Sequence, residues 1–221
     1  MQSGLKSPRI WEASADPFLP ESVSEAVSLL RRGCVIVYPT ETFYAVGGIP
    51  GQAGTVERIF EIKGRGAEKA LPLIASGREA VRSAVSDWPE AAERLAGAFW
   101  PGPLTLVLPA SPLLPPVLHA GTGKVAVRIS SHPVAAYLAG AAGGLLVSTS
   151  ANRSGEPAPD DPAGVSDAIG SRVDGFVSAG ILPGGFPSTI VDVTTFPAKL
   201  LRAGRLGLER ILEVLGPGNA G

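Results

Sequence analysis

Residues 22–44 decide the fold class: Ser22-Val-Ser-Glu-Ala-Val-Ser-Leu-Leu-Arg-Arg-Gly33-Cys-Val-Ile-Val-Tyr38-Pro-Thr-Glu-Thr-Phe-Tyr44. Ser22-x-x-Glu25 has the form of a capping box, in which a serine and a glutamate satisfy the free N–H groups at a helix start. Arg31, Arg32 and Gly33 then supply the cations and the glycine that favour a helix C-terminus. Cys34 to Tyr38 is a β-branched apolar run between Gly33 and Pro39, the pattern of a buried strand. A helix feeding a buried strand, which ends in hydroxyls and one acid, is the unit of an α/β domain.

The same alternation continues outward. A helix is expected from about 54 to 62, leading into Lys63, and another from Asp87, Pro89 and Glu90 to about Ala98. His132-Pro133 opens a third, to about Ala142. Strands are expected at Leu71–Ala75, Leu104–Leu108, Val125–Ile129, Leu145–Ser148, Gly175–Ser178, Thr189–Val193 and Lys199–Arg202. Together these predict a single α/β domain, a mixed twisted sheet with helices packed on it. Residues 1–20, with Pro8, Pro17 and Pro20 and no apolar period, read as an extended arm before the first structured element. Residues 21–207 form the domain, and 208–221 a short helix and tail.

The 221 residues are 45% apolar and 18% charged, enough to bury a core and unlike a disordered chain. Nineteen Lys and Arg stand against twenty Asp and Glu, a net charge of -1, so any anion site must be local rather than a global basic excess. One cysteine, Cys34, and no basic-apolar leader predict a reducing, cytoplasmic setting. The uncharged stretches 95–123 and 129–152 fail as membrane spans. The first carries Pro101, Pro103, Pro109, Pro112, Pro115 and Pro116, and the second mixes Gly143-Gly144 with a run of polar residues.

Common nucleotide and metal motifs are missing. Gly123-Lys124 is followed by Val125, and Gly64-x-Gly66 meets Lys69 where a third glycine is needed. His119, His132 and Cys34 cannot assemble a zinc site, so a metal is expected only with substrate phosphates. Both histidines and Cys34 read as structural, and the glycosylation match at Asn152-Arg153-Ser154 is empty without a leader.

Chemistry gathers in five polar segments at strand ends, where open α/β sheets collect ligand groups. They are Tyr38–Gly48; Lys63-Gly64-Arg65-Gly66-Ala67-Glu68-Lys69; Trp100-Pro101-Gly102-Pro103-Leu104-Thr105; Ser148–Pro157; and Ser188-Thr189 with Arg128 and Arg202. Each alone also reads as a turn, a solvated helix end or an internal salt bridge. Yet Lys63, Arg65, Lys69, Lys124, Arg128, Arg153, Arg202 and Arg205 all lie in or beside them, which predicts one concave electropositive cleft. Without a His or Cys nucleophile, its chemistry rests on positioning and charge neutralisation, as in transfer at phosphorus.

Over residues 20–206 the five segments resemble the YrdC-type family of threonylcarbamoyl-AMP synthases. The resemblance is carried, in order, by Tyr38-Pro39-Thr40-Glu41-Thr42, Lys63-x-Arg65, Trp100–Thr105, Ser148-Thr149-Ser150-Ala151-Asn152-x-Ser154-Gly155 and Ser188-Thr189-Ile190-Val191-Asp192. It implies a YrdC-like catalytic domain and a nucleotidyltransferase. Threonine and bicarbonate would form a carbamate that attacks the α-phosphorus of ATP, giving threonylcarbamoyl-AMP and pyrophosphate for tRNA modification by a transferase complex. By similarity Thr40 and Ser188 hold threonine, with Arg128 and Ser148 near its carboxylate or the carbamate. Arg65, Lys69, Thr105, Ser150, Asn152 and Arg202 hold ATP with Mg2+, while Lys63 and Arg65 neutralise charge on the phosphates.

Departures fall at backbone-shaping positions: Ala45-Val46 for Gly-Leu, and Ala70, Ser130 and Ala203 for prolines. If a glycine at position 45 supplied a positive φ, alanine would cost on the order of 1 kcal/mol. Two other readings stand beside the enzyme. One is a double-stranded RNA or tRNA-binding module, and the other a carbamoyl-transfer domain like that in hydrogenase-maturation proteins.

Overall fold

The structure, a computed structural model, describes residues 8–14 and 16–216. Its first half runs β1 (Arg9–Glu12), α1 (Ser24–Arg31), β2 (Ile36–Tyr38), β3 (Ala45–Gly47), α2 (Thr55–Lys63), β4 (Leu73–Ala75), α3 (Arg78–Ala84), α4 (Glu90–Phe99) and β5 (Leu104–Pro109). The second half runs β6 (Lys124–Arg128), α5 (Pro133–Ala141), β7 (Leu145–Val147), β8 (Thr149–Ser150), α6 (Pro162–Ala168), β9 (Gly175–Ser178), β10 (Thr189–Asp192), β11 (Lys199–Arg202) and α7 (Leu208–Leu215).

Helix α1 ends as its sequence implies. Gly33 takes φ +79°, its N–H reaches Leu30 O at 2.9 Å, and Cys34 N–H reaches Leu29 O at 3.2 Å. This paired closure reverses the chain into β2. The helix starts differently. Pro20–Val23 is a 3-10 turn, so Ser22 already lies inside a turn and its hydroxyl donates back to Leu19 O at 2.7 Å. Val23 takes the cap position without a side-chain bond, and no capping box forms. Asp87 likewise does not cap α4; its carboxylate accepts from Trp88 N–H at 2.8 Å, one residue away.

Two mixed sheets form where one was expected. Their strand orders are β1-β9-β2-β3-β8 and β11-β10-β5-β6-β4-β7. The chain crosses between them at Ser148, the single residue separating β7 from β8. Val147 N–H donates to Gly48 O at 2.9 Å, and the buried Tyr38 hydroxyl donates to Val147 O at 2.8 Å. A Cβ on Gly47 would sit 1.7 Å from Val147 O, so the crossing requires glycine there.

Alternate residues of the central strands face two cores. Val35 and Val37 enter the larger core with Leu73, Leu104 and Leu106, while Ile36 and Tyr38 enter a smaller one with Ile74 and Leu146. Helices α1 and α5 close the smaller core with Leu29, Leu30, Val134 and Leu138. Burial on both faces is why these strands read as unbroken apolar runs. Burying each such side chain contributes about 2 kcal/mol.

Arg9–Glu12, expected within an arm ahead of the structured chain, is strand β1, paired in parallel with β9. Its four residues alternate too weakly to announce a strand, and the neighbouring β9 supplies the missing partner groups. The remaining expectations for the arm and tail at residues 1–7, 15 and 217–221 lie outside the described residues. No helix among the described residues is long and apolar enough to cross a membrane.

Candidate active site

All five polar segments meet at one cavity of about 530 Å³. Strand pairing builds its first wall. Ile190 on β10 stands opposite Thr105 on β5 and Arg202 on β11, which sets these three lining residues side by side. Just before β10, the Ser188 hydroxyl lies 2.9 Å from that of Thr105. Arg202 donates to Ser188 O through Nε at 3.0 Å and NH2 at 2.8 Å, and to Ser188 Oγ at 3.0 Å. Burial, with the repulsion of Arg128, lowers the Arg202 pKa from its ordinary value, so an anion there relieves crowding between cations.

The turn after β2 supplies the second wall. Thr40 Oγ1 donates to Phe43 O at 2.6 Å and accepts from Thr42 N–H at 3.3 Å, which curls the turn so that Thr40, Phe43 and Tyr44 line the cavity. Ala45 follows as a strand residue paired with Ser150. It is not a positive-φ position; among the described non-glycine residues only Ala120 takes positive φ. The strain expected of alanine at 45 is therefore absent.

Arg128 ends β6, buried at 8% exposure, and lines the cavity. The loop from Ser148 to Glu156 also lines the cavity, next to Ala45 through the β3–β8 pairing. Ser148 Oγ lies beside the buried Tyr38 hydroxyl, which donates to Val147 O. Asn152 Nδ2 donates to Arg153 O at 2.9 Å and Glu156 O at 2.6 Å, leaving the buried Oδ1 free to accept from a ligand.

Gly64 decides what the Lys-x-Arg segment presents. At φ +56° it closes α2, with Gly64 N–H on Glu61 O at 3.2 Å and Arg65 N–H on Phe60 O at 3.0 Å. Past this reversal Arg65 reaches the cavity, its NH2 on Ala70 O at 3.0 Å and its buried Nε without a partner. Lys63, still on the helix, turns inward. Its ammonium is buried and donates to Ser150 O at 2.5 Å and Asn152 O at 2.8 Å. Burial, then the nearby Arg65, pushes its pKa down to about 8, with Glu156 opposing.

Thr40, Arg65, Thr105, Arg128, Ser148, Ser150, Asn152, Ser188 and Arg202 thus line one cavity. The structure does not bring Lys63 or Lys69 into its wall. Lys63 backs the loop, and Lys69 is exposed. Lys124, counted among the clustered cations, pairs with Asp192 at 3.0 Å. Sequence reasoning also passed over Glu156, which lines the cavity, and Glu41, which bonds Arg128. The acid inside the Tyr38–Thr42 turn was the available signal for Glu41.

No group of three or more His, Cys, Asp or Glu that could hold a metal ion exists among the described residues. A second cavity of about 410 Å³, beside Pro89, Arg94, Phe196 and Leu215, includes none of the candidate residues.

Residues 28–204 match the Sua5/YciO/YrdC family model, which carries the description telomere recombination. A threonylcarbamoyl-AMP synthase of Pyrococcus abyssi is 38% identical over 191 residues, 86% of this chain and 56% of that protein. Its Bacillus subtilis counterpart is 35% identical over 196 residues, 88% of this chain and 57% of that protein. The chain therefore spans little more than half the length of these curated relatives. The crystal structure of P. abyssi Sua5 complexed with L-threonine superposes with a TM-score of 0.91 at 35% identity, covering 96% of this chain and 62% of that one. With its motifs gathered in one cavity and the family match running through most of its length, the chain belongs to the Sua5/YciO/YrdC family.

Proposed function

We propose that the chain is a threonylcarbamoyl-AMP synthase, a nucleotidyltransferase acting on L-threonine, bicarbonate and ATP. One observation carries the reading: a single cavity lined by Arg65, Arg128 and Arg202, by five hydroxyl side chains among the sequence candidates, and by one acid, Glu156. A relative 35% identical to this chain is solved complexed with L-threonine. A cavity of about 530 Å³ suits small ligands better than an open groove for duplex RNA.

In this reading the threonine amine adds to bicarbonate with loss of water. A carbamate oxygen then attacks the α-phosphorus as the bond to the pyrophosphate oxygen breaks, and pyrophosphate leaves with that electron pair. Thr40 and Ser188 hold threonine, and Arg128 with Ser148 takes its carboxylate or the carbamate. Arg65, Thr105, Ser150, Asn152 and Arg202 hold ATP, and Lys69, exposed and outside the cavity wall, would meet its phosphates from solvent. Lys63 holds the Ser150 and Asn152 carbonyls, so its charge reaches the phosphates through the field rather than by contact. Magnesium borne on the triphosphate would neutralise its oxygens. The product passes to a tRNA-modifying transferase complex in the cytoplasm.

The test is pyrophosphate release from ATP, Mg2+, bicarbonate and L-threonine, with controls lacking threonine or carrying serine instead. Release that needs both threonine and bicarbonate is expected; ATP turnover indifferent to threonine would remove the reading.

A further inference from the structure

Arg128 is backed by side chains to which no role in the cavity has been given. One oxygen of the Glu41 carboxylate accepts from Arg128 NH1, and the other accepts from the Ser130 hydroxyl. Ser130 Oγ in turn accepts from His132 N–H at 3.2 Å, which ties the group to the start of α5, and the Glu41 carbonyl accepts from Arg205 at 3.1 Å. Among the described residues the Arg128 guanidinium has no other hydrogen-bond partner. Arg128 lines the cavity, whereas Glu41, Ser130 and His132 do not. The carboxylate therefore grips the guanidinium from outside the ligand space and leaves most of its five N–H donors for a ligand.

Two physical demands meet there. A planar fork binds a carboxylate well only when its plane is held, and a buried cation close to Arg202 needs a counter-charge before any ligand arrives. Glu41 meets both. Its neighbour Thr40 lines the same cavity, so one turn sets the threonine-side hydroxyl and the orientation of the arginine. Ser130 gives the second carboxylate oxygen its donor.

We propose that Glu41, braced by Ser130, is a positioning residue that holds the Arg128 fork for the carboxylate of the amino-acid substrate. The assignment rests on the synthase reading above. It opposes a rival in which Glu41 occupies the place of that carboxylate and must be displaced, and the two predict opposite signs.

The test measures L-threonine affinity by calorimetry, and KM for threonine and for ATP by pyrophosphate release, on Glu41→Ala, Glu41→Asp and Ser130→Ala. Glu41→Ala is expected to weaken threonine about tenfold in both measurements, with ATP KM near wild type and a lowered thermal midpoint, because the buried Arg128 loses its counter-charge. Glu41→Asp should recover part of that loss, and Ser130→Ala should cost about threefold. Should Glu41→Ala fail to fold, the other two variants carry the comparison. Unchanged or tighter threonine binding in folded variants overturns the assignment alone. A wild-type protein that neither binds threonine nor releases pyrophosphate overturns the synthase reading and the assignment with it.

Discussion

The Lys63 ammonium donates to the carbonyl oxygen of Ser150 at 2.5 Å, joining the last residue of α2 to the middle of the loop that carries Ser150 and Asn152. A second bond, to Asn152 O at 2.8 Å, makes a clamp. Lys63→Met removes both donors from buried carbonyls, at an expected cost of about 1–3 kcal/mol in urea unfolding. ATP KM should rise as the loop loosens. Lys63→Arg should not restore it, because a planar fork does not fit between two carbonyls placed for a point charge.

The same residue carries a pH dependence. Burial lowers Lys63 from 10.5 to about 8, so between these values the unfolded chain holds a proton that the folded chain has lost. The unfolding free energy contributed by this group therefore rises with pH over that window, and the penalty is fully present below it. The stability difference between wild type and Lys63→Met should grow between about pH 8 and pH 10.5 in urea titrations. A flat or shrinking difference would contradict the assignment.

Arg202 holds Ser188 through two nitrogens on one carbonyl. Lysine cannot reproduce that fork, so Arg202→Lys is expected to lower kcat/KM for ATP by about 10²-fold while the protein stays folded. Steady-state kinetics beside a circular dichroism melt separates the two effects. A loss under about threefold would show that charge alone suffices.

Where the sheets join, Gly47→Ala drives a methyl group into Val147 O, 1.7 Å from the ideal Cβ, and soluble folded protein should be lost. Tyr38→Phe removes the 2.8 Å bond to the same carbonyl and the contact with Ser148, and should cost about 1–2 kcal/mol in chemical denaturation.

Deleting residues 1–13 removes β1, which lies at the end of its sheet opposite β3 and β8, the strands that border the cavity. Thermal unfolding should fall by several degrees, as for about 1–3 kcal/mol, with substrate KM values within about twofold of wild type. A large KM change would mean that the segment acts on the site rather than on the sheet.

The sequence by itself determined the α/β class, the Gly33 stop before the Ile36–Tyr38 strand, helix Leu208–Leu215, and the polar segments that meet in the cavity. Those features are local: a glycine's backbone freedom, an apolar run and hydroxyls after a strand act within a few residues. Strands β3 and β8 escaped because three and two residues inside polar loops show no period. The tertiary structure alone decided that Ser148 divides two sheets, that Lys63 faces a loop while Arg65 faces the cavity, and that Glu41 meets Arg128 87 residues away. A charged side chain takes whichever partner the packed chain brings within about 3 Å, and that choice is made through space, where sequence spacing has no say.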